Sequence, residues 1–390
     1  MLSGGDPMID FATVALAYSI LAILLHLLSS AIVVWRYRSA SFQKHPTRVT
    51  PVSIVRPVCG LDHFDHLTLR SSFSLDYPDY EIIFCCADER DAAVPLIRAL
   101  ISENPATPAR LLFGDDKPTA NPKLNNIVKG WKAARSDWIV IADSNVLMPT
   151  TYIDDLLRCS GPQTGLVCSP PVGCMPIGFN AELECAFLNG YQARWQIAAD
   201  AIGFGFAQGK SMLWRRELLD GSGGILALGA EIAEDAAATK IVRSRGLNVR
   251  IAAHPFEQPL GPRQAKQIWH RQLRWARLRR VSFPMYYVPE VLTGSALPIA
   301  AGMFAAASIN ADPLTAFIFI ATVWYGAEIV LTRAAGWHIS RTSLIAWGLR
   351  DMLLPILWIQ GWTGNTFTWR GNDMSVRKPV TVETLMRAQS

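Results

Sequence analysis

The chain has 390 residues, half of them apolar and only 18% charged, with a formal net charge of +5. This apolar content excludes an intrinsically disordered chain, which combines low hydrophobicity with high charge, and the length allows two to three domains. So mild a positive balance gives no basis for nucleic-acid binding, and the average leaves open a greasy soluble enzyme or a membrane protein.

The first element, Phe11–Val34, runs for 24 residues without a formal charge. A bilayer-spanning helix needs about 20. Asp6 and Asp10 precede it, and Trp35, Arg36, Tyr37 and Arg38 follow. A cleavable signal peptide carries its positive charge before the apolar run. Residues 1–47 therefore read as an uncleaved anchor, with its basic flank cytoplasmic and the N-terminus on the opposite side.

Residues 48–283 are charged and punctuated by Pro and Gly. Short apolar runs at 51–56, 80–86, 109–113 and 137–142 predict strands, and the stretches near 63–74, 91–103 and 122–135 predict helices between them. This alternation implies an α/β domain with a mostly parallel sheet covered on both faces. Ligands in such sheets bind beyond the carboxyl ends of the strands. Two strands run into acids there, one into Asp88-Glu-Arg-Asp91 and one into Asp143-Ser-Asn145. Such acids either cap the next helix or serve a ligand. No Gly-rich phosphate loop follows a strand, so a bound nucleotide needs positive charge from elsewhere. A divalent ion on Asp143 supplies it, since hard cations take oxygen ligands and bridge phosphates.

Seven cysteines, an odd number without C-x-x-C spacing, predict reduced core thiols rather than disulfides or a zinc site. In Asn180–Ala201, Leu183, Phe187, Tyr191 and Trp195 recur every fourth residue, a pattern of either core packing or a membrane-facing helix. Glu234-Asp235 opens a predicted helix, where first-turn acids suit the helix dipole or a catalytic role. Arg263–Arg280 then holds seven Lys or Arg and no acid. Within it, Arg271, Arg274 and Trp275 share a helix face, and the arginines Arg277, Arg279 and Arg280 are expected to meet anionic lipid headgroups.

Residues 284–335 contain two apolar runs, Val288–Ile309 and Leu314–Leu331, joined by Asn310-Ala-Asp-Pro313. They predict a transmembrane helical hairpin with both ends cytoplasmic. In 336–390 the stretch Ser343–Trp362 carries Arg350 and Asp351. It reads as one or two interfacial helices followed by a cytoplasmic tail, with a true span as the alternative.

These residues carry a resemblance. Strand-end acids, a later Glu-Asp pair and Arg271-Gln-Leu-Arg-Trp275 ahead of a membrane hairpin resemble the D, D, D, (Q/R)xxRW pattern of GT-A-fold, family 2-like membrane glycosyltransferases. More closely, Leu75-Asp-Tyr-Pro-Asp-Tyr-Glu81, Asn121-Pro-Lys-Leu-Asn-Asn126, Ile141-Ala-Asp-Ser144, Ile232-Ala-Glu-Asp235 and Trp369-Arg-Gly371 are similar to the ceramide glucosyltransferase family, glycosyltransferase family 21. The resemblance spans the chain from the anchor nearly to its end.

It implies a Rossmann-like GT-A domain that transfers a hexose, glucose, from a UDP-sugar to the primary hydroxyl of ceramide with inversion. It implies that Asp88 and Asp91 hold the uridine end and that Asp143 takes the metal, Mg or Mn, and the diphosphate. Lys123 and Asn126 then border the donor pocket, and Asp235 is the general base. Arg271, Arg274 and Trp275 lie near the diphosphate and acceptor. Two departures stand out: Asp143-Ser-Asn145 is not a full D-x-D, and Gln192 stands where the animal enzymes carry a histidine. Another lipid acceptor, diacylglycerol or a polyprenyl phosphate, and a non-catalytic membrane scaffold are the other readings. The expected partners are a UDP-sugar, a ceramide-like lipid and the bilayer. The oligomeric state is not readable.

Overall fold

The computed structural model describes residues 7–40, 49–369 and 372–376. The α/β architecture expected from the alternation is present. Nine strands belong to the central domain: β1 (Val52–Pro57), β2 (Tyr80–Cys85), β3 (Ala109–Leu112), β4 (Trp138–Ala142), β5 (Thr164–Ser169), β6 (Val172–Ile177), β7 (Ser211–Arg215), β8 (Asn248–Ile251) and β9 (Glu257–Pro262). Seven form one sheet in the order β3-β2-β1-β4-β7-β5-β8, and β6 pairs with β9 apart from it. Only β7 in the large sheet runs antiparallel to its neighbours. The chain leaves β1 first towards β2 and β3, then returns to its other side with β4. That reversal opens a crevice at the carboxyl ends of β1 and β4.

Every residue of β1 is buried, because both faces of the sheet are covered. Val55 packs with Leu124, Ile127 and Trp131 on one face. Val52 and Ile54 pack with Tyr152 and Ile153 on the other. Helices α2 (Asp65–Arg70), α3 (Val94–Glu103), α4 (Pro122–Ala133) and α5 (Tyr152–Arg158) supply these layers. Arg56, a cation inside the central strand, is fully buried. It donates to the carbonyls of Thr68 (2.7 Å), Asp143 (2.9 Å), Ser144 (2.9 Å) and Val146 (3.1 Å). Burial pushes the Arg56 guanidinium down to about 10. The loop after β4 is thus gathered around one side chain.

After the sheet's first half come α6 (Phe179–Ala186), a π-helical turn (Phe187–Ala193), α7 (Arg194–Ala201), α8 (Arg216–Asp220) and α9 (Glu234–Ser244). The fourfold repeat in this region belongs to a core. Leu183, Phe187 and Tyr191 are buried with Ile268, Leu354 and Leu357, and Trp195 and Trp269 pack against them. All seven cysteines are free.

Helix α1 (Pro7–Ala40) is longer than its apolar run and carries its basic flank in the same helix. Arg36 pairs with Asp200 of α7. Among the described residues two single helices are long and apolar enough to cross a membrane, Phe11–Ser39 within α1 and α13 (Pro313–Ala334). The other predicted arm, Val288–Ile309, is not one helix. It splits into a 3-10 turn (Val288–Leu292) and α12 (Ala296–Ser308), and α12 is bent by 47° from the segment Pro284–Leu292 before it. Pro289 and the Thr293-Gly-Ser295 stretch interrupt it. Thirteen residues of α12 reach about 20 Å alone, but Pro284–Leu292 and Ala296–Ser308 together are long and apolar enough to cross as one bent span. The hairpin of α12 and α13 packs on α1. Ser19 donates to the Pro298 carbonyl at 2.9 Å, and His26 stacks on Trp324 with ring centroids 3.9 Å apart. Arg194 reaches from α7 to Ser29 at 2.6 Å.

The 18-residue helix α10 (Ala265–Ser282) and the short α11 (Pro284–Tyr287) lead into this module. Ser343–Trp362 forms a single helix, α14, with Pro355 inside it. Arg350 and Asp351 are buried, and Arg350 grips Glu328 of α13 through two bonds of 2.5 and 3.0 Å. The pair presses on the π-helical turn, where a Cβ on Gly190 would collide with the Glu328 carboxylate. Beyond α14, β10 (Thr366–Trp369) and β11 (Asn372–Ser375) form a small antiparallel hairpin. Arg370, Gly371, Arg377 and Lys378 lie outside the described residues.

The basic flank differs from expectation. Arg279 is held by Glu290 at 2.7 and 3.0 Å. Arg277 and Arg280 bind the chain after α14. Arg279 is thus ion-paired, while Arg277 and Arg280 bond neutral oxygens of the protein and keep their charge.

Candidate active site

A cavity of about 1180 Å³ occupies the crevice at the ends of β1 and β4. Val58 and Cys59 follow β1 into its wall, and Asp143, Ser144 and Asn145 follow β4. Because β7 runs backwards, the loop before it, Ala207–Lys210, meets the same edge. Helix α10 closes the cavity with one face, on which Gln267, Arg271, Arg274, Trp275, Leu278 and Ser282 recur at helical spacing.

Asn121 sets the polar end. Its Oδ1 accepts from the backbone N–H groups of Lys123 (2.9 Å) and Leu124 (3.1 Å), capping α4, whose first residue is Pro122. Its Nδ2 donates to Glu234 at 2.8 Å. Lys123 therefore leaves the first turn of α4 aimed at two carboxylates. Its Nζ lies 2.7 Å from Asp143 and 2.6 Å from Glu234. Lys210 reaches Asp143 at 3.0 Å and the Asn145 Oδ1 at 3.2 Å. Burial opposes ionisation of Asp143, but the two lysines outweigh it and hold the carboxyl down at about 2. Asn126 also lines the wall and accepts from Lys129 at 2.7 Å.

Asp235 begins α9 beside Glu234. It accepts from the N–H of Gly209 at 3.1 Å and from Ala236 at 2.8 Å. Burial and the Glu234 carboxylate, only partly offset by Lys123 and the two N–H groups, push Asp235 up to about 6. A carboxylate so placed can take a proton near neutral pH. Arg271 is fixed by the fully buried Glu184 of α6, which also binds Arg263 at 3.2 Å. Trp275 packs on Ala181, Cys185 and Leu260 and turns an edge to the cavity. Gln192 lines the cavity and donates to Gln272 at 3.1 Å.

The structure thus brings Lys123, Asn126, Asp143, Asp235, Arg271, Arg274 and Trp275 onto one cavity. It does not bring Asp88 and Asp91 there. Asp88 binds the N–H of Arg90, and Asp91 takes the N–H groups of Gly60 (2.8 Å) and Ala93 (2.9 Å). Asp91 ties the loop after β2 to the loop after β1, a positioning contact behind the wall, so the expected contact of both acids with uridine is not met by their placement. Sequence reasoning missed Lys210, Glu184, Arg56 and the Asp115-Asp116-Lys117 stretch after β3. The last was findable, because β3 ends at the same edge as β1 and β4.

At the cavity wall Asp143 and Asn145 are the candidate oxygen donors for a divalent cation, with Lys123 and Lys210 on the two Asp143 oxygens and Lys210 also on the Asn145 Oδ1. Among the described residues no group of three His, Cys, Asp or Glu is placed to hold a metal by itself.

The family model described as glycosyl transferase family 21 matches residues 19–382. Ceramide glucosyltransferase 3 of Caenorhabditis elegans is 27% identical over 346 residues, covering 86% of this chain and 75% of the relative. Ceramide glucosyltransferase 1 of the same organism is 26% identical over 382 residues, covering 95% and 81%. Among solved structures, mannosyltransferase PcManGT from Pyrobaculum calidifontis in complex with GDP-Man and Mn²⁺ aligns with a TM-score of 0.48 and 16% identity, covering 87% of this chain and 99% of that one.

Proposed function

The chain belongs to glycosyl transferase family 21, and from that premise we propose that it transfers glucose from UDP-glucose to the primary hydroxyl of ceramide, inverting the anomeric centre. The observation that carries this reading is one cavity wall that holds both a carboxylate with a raised pKa, Asp235, and a carboxylate bridged by two lysines, Asp143.

Asp235 accepts the proton of the lipid hydroxyl as the oxygen attacks the anomeric carbon. Asp143 and Asn145 are the residues that would hold a divalent cation, Mg²⁺ or Mn²⁺, which would supply Lewis-acid stabilisation to the leaving diphosphate. Lys123, Lys210, Arg271 and Arg274 add fixed positive charge where that leaving group develops its own. Cys59, Ala87 and Asp115 border the uridine end, and Asp91 steadies that wall from behind.

A lipid acceptor fits the surroundings of the cavity. Along α10 the lining passes from Gln267 and Arg271 to Leu278 and Ser282, then to Phe283 and Tyr287. Next to it Met285, Tyr286, Val288 and Leu292 are exposed, an apolar rim that suits a membrane surface. In the proposed topology the N-terminus lies across the bilayer from a cytoplasmic catalytic domain. The exposed face of α14, with Ile345, Met352, Ile356 and Ile359, rests at the interface.

The test is a donor-by-acceptor panel on the purified full chain in detergent or bilayers, with product identification. Glucosylceramide from UDP-glucose is the expected product. Transfer confined to diacylglycerol or a polyprenyl phosphate overturns the acceptor, and no sugar transfer to any lipid overturns the function.

A further inference from the structure

The C-terminal hairpin supplies part of the cavity wall. In the β10–β11 ladder Phe367 stands directly opposite Met374. Opposed residues of an antiparallel pair project to the same face, and both side chains line the cavity.

The hairpin is strapped to α10. Arg277 donates to the carbonyls of Thr363 (3.1 Å) and Thr366 (2.7 Å). Arg280 donates to the Trp362 carbonyl (2.8 Å) and the Asn365 Oδ1 (2.7 Å) and lies over the Trp362 ring. Val376 closes the base through its N–H to the Asn365 carbonyl at 2.8 Å. Gly364 has φ +74°, and a Cβ there would stand 2.9 Å from the Arg277 guanidinium. The strap therefore passes under Arg277 as glycine. At 1.5 Å per residue, Arg277 and Arg280 lie about 9 and 14 Å along α10 from Arg271. The hairpin meets the cavity at its apolar end, beside Leu278 and Phe283, and away from the Asp143–Lys123–Glu234 cluster.

We propose that the Phe367–Met374 pair gauges the apolar chain of the acceptor, making the hairpin a specificity element for chain length and bulk. This rests on the lipid-acceptor reading above. Two large apolar side chains, paired across a strand ladder and turned to a cavity, limit what fits beside α10. Two arginines fix their distance from the helix. The donor end is untouched by these contacts.

Phe367→Ala and Met374→Ala in the full chain, assayed with UDP-glucose against short-acyl and long-acyl ceramides, test the proposal. The ratio of kcat/KM between the two acceptors is expected to shift about tenfold, in line with what a few methylenes are worth in an apolar pocket, with the KM for UDP-glucose unchanged. Arg277→Ala with Arg280→Ala is expected to flatten the same profile by releasing the strap. An unaltered profile with kcat/KM reduced equally for all acceptors overturns the gauge. If the alanine variants lose UDP-glucose binding, Phe367→Leu and Met374→Leu carry the test with the packing kept. Failure of the parent protein to glycosylate any ceramide overturns the acceptor reading instead, so the two failures are distinct.

Discussion

Arg56 in the central strand donates through Nη2 to the backbone carbonyl of Asp143 at 2.9 Å. The side chain proposed to meet the donor diphosphate is thus aimed by a cation that never enters the cavity. Arg56→Met leaves the Thr68, Asp143, Ser144 and Val146 carbonyls without this donor. Each buried group so stranded costs about 1–3 kcal/mol. Thermal unfolding followed by tryptophan fluorescence should show a loss of at least about 3 kcal/mol, and an unchanged midpoint would refute the aiming role.

Asp235→Asn should retain UDP-glucose binding while turnover falls about 10²–10⁴-fold, the usual worth of one acid-base role. Turnover within a few fold of the parent protein would sink the assignment.

The pH profile follows from the same residue. The base acts when deprotonated, and its carboxyl sits at about 6. kcat/KM should therefore rise with pH and level off above about 6, falling tenfold per unit on the acid side. Lys123 is among the groups that lower the Asp235 pKa. Lys123→Met should move the acid limb to higher pH, and a limb that stays in place would show that another group governs it.

Arg350→Met should destabilise the protein by about 3–5 kcal/mol, because it leaves Glu328 buried and uncompensated. Adding Glu328→Leu should recover part of that loss. Two independent, additive losses in detergent melts would mean that the pair is not coupled.

Arg277→Ala with Arg280→Ala should lower activity to a similar extent on anionic bilayers and in neutral micelles, since both arginines bind the chain after α14. A loss confined to anionic bilayers would restore lipid steering as their role.

Much of the site was legible because β1, β2 and β4 are mostly apolar runs, broken only by Ser53, Arg56 and Glu81, with polar residues following them at the crevice. Asp143 could be placed from Trp138–Ala142 alone, and Lys123 from its position after an Asn-Pro cap. Lys210 could not, since it precedes a strand, and only the reversed direction of β7 turns that loop towards the site. Asp88 and Asp91 misled for the converse reason. They follow a parallel strand, but β2 lies one place away from the switch point, and the loop spends Asp91 on the Gly60 and Ala93 N–H groups. The i+4 aromatic repeat from Leu183 to Trp195 fits a lipid face and a core face equally well. Only the position of α14 decides between them. The arm Val288–Ile309 was continuous in hydropathy but not in backbone, because composition does not register a bend.

The contacts of α1 set an order in time. Ser19, His26 and Ser29 are made at the start of translation. Pro298 and Trp324, which satisfy the first two, arrive about 280 to 300 residues later, and Arg194, which meets His26 and Ser29, belongs to α7 of the α/β domain. Until those residues are made, the Ser19 hydroxyl and the His26 ring of α1 lack these partners, so the packing of α1 is completed only when the far end of the chain is present.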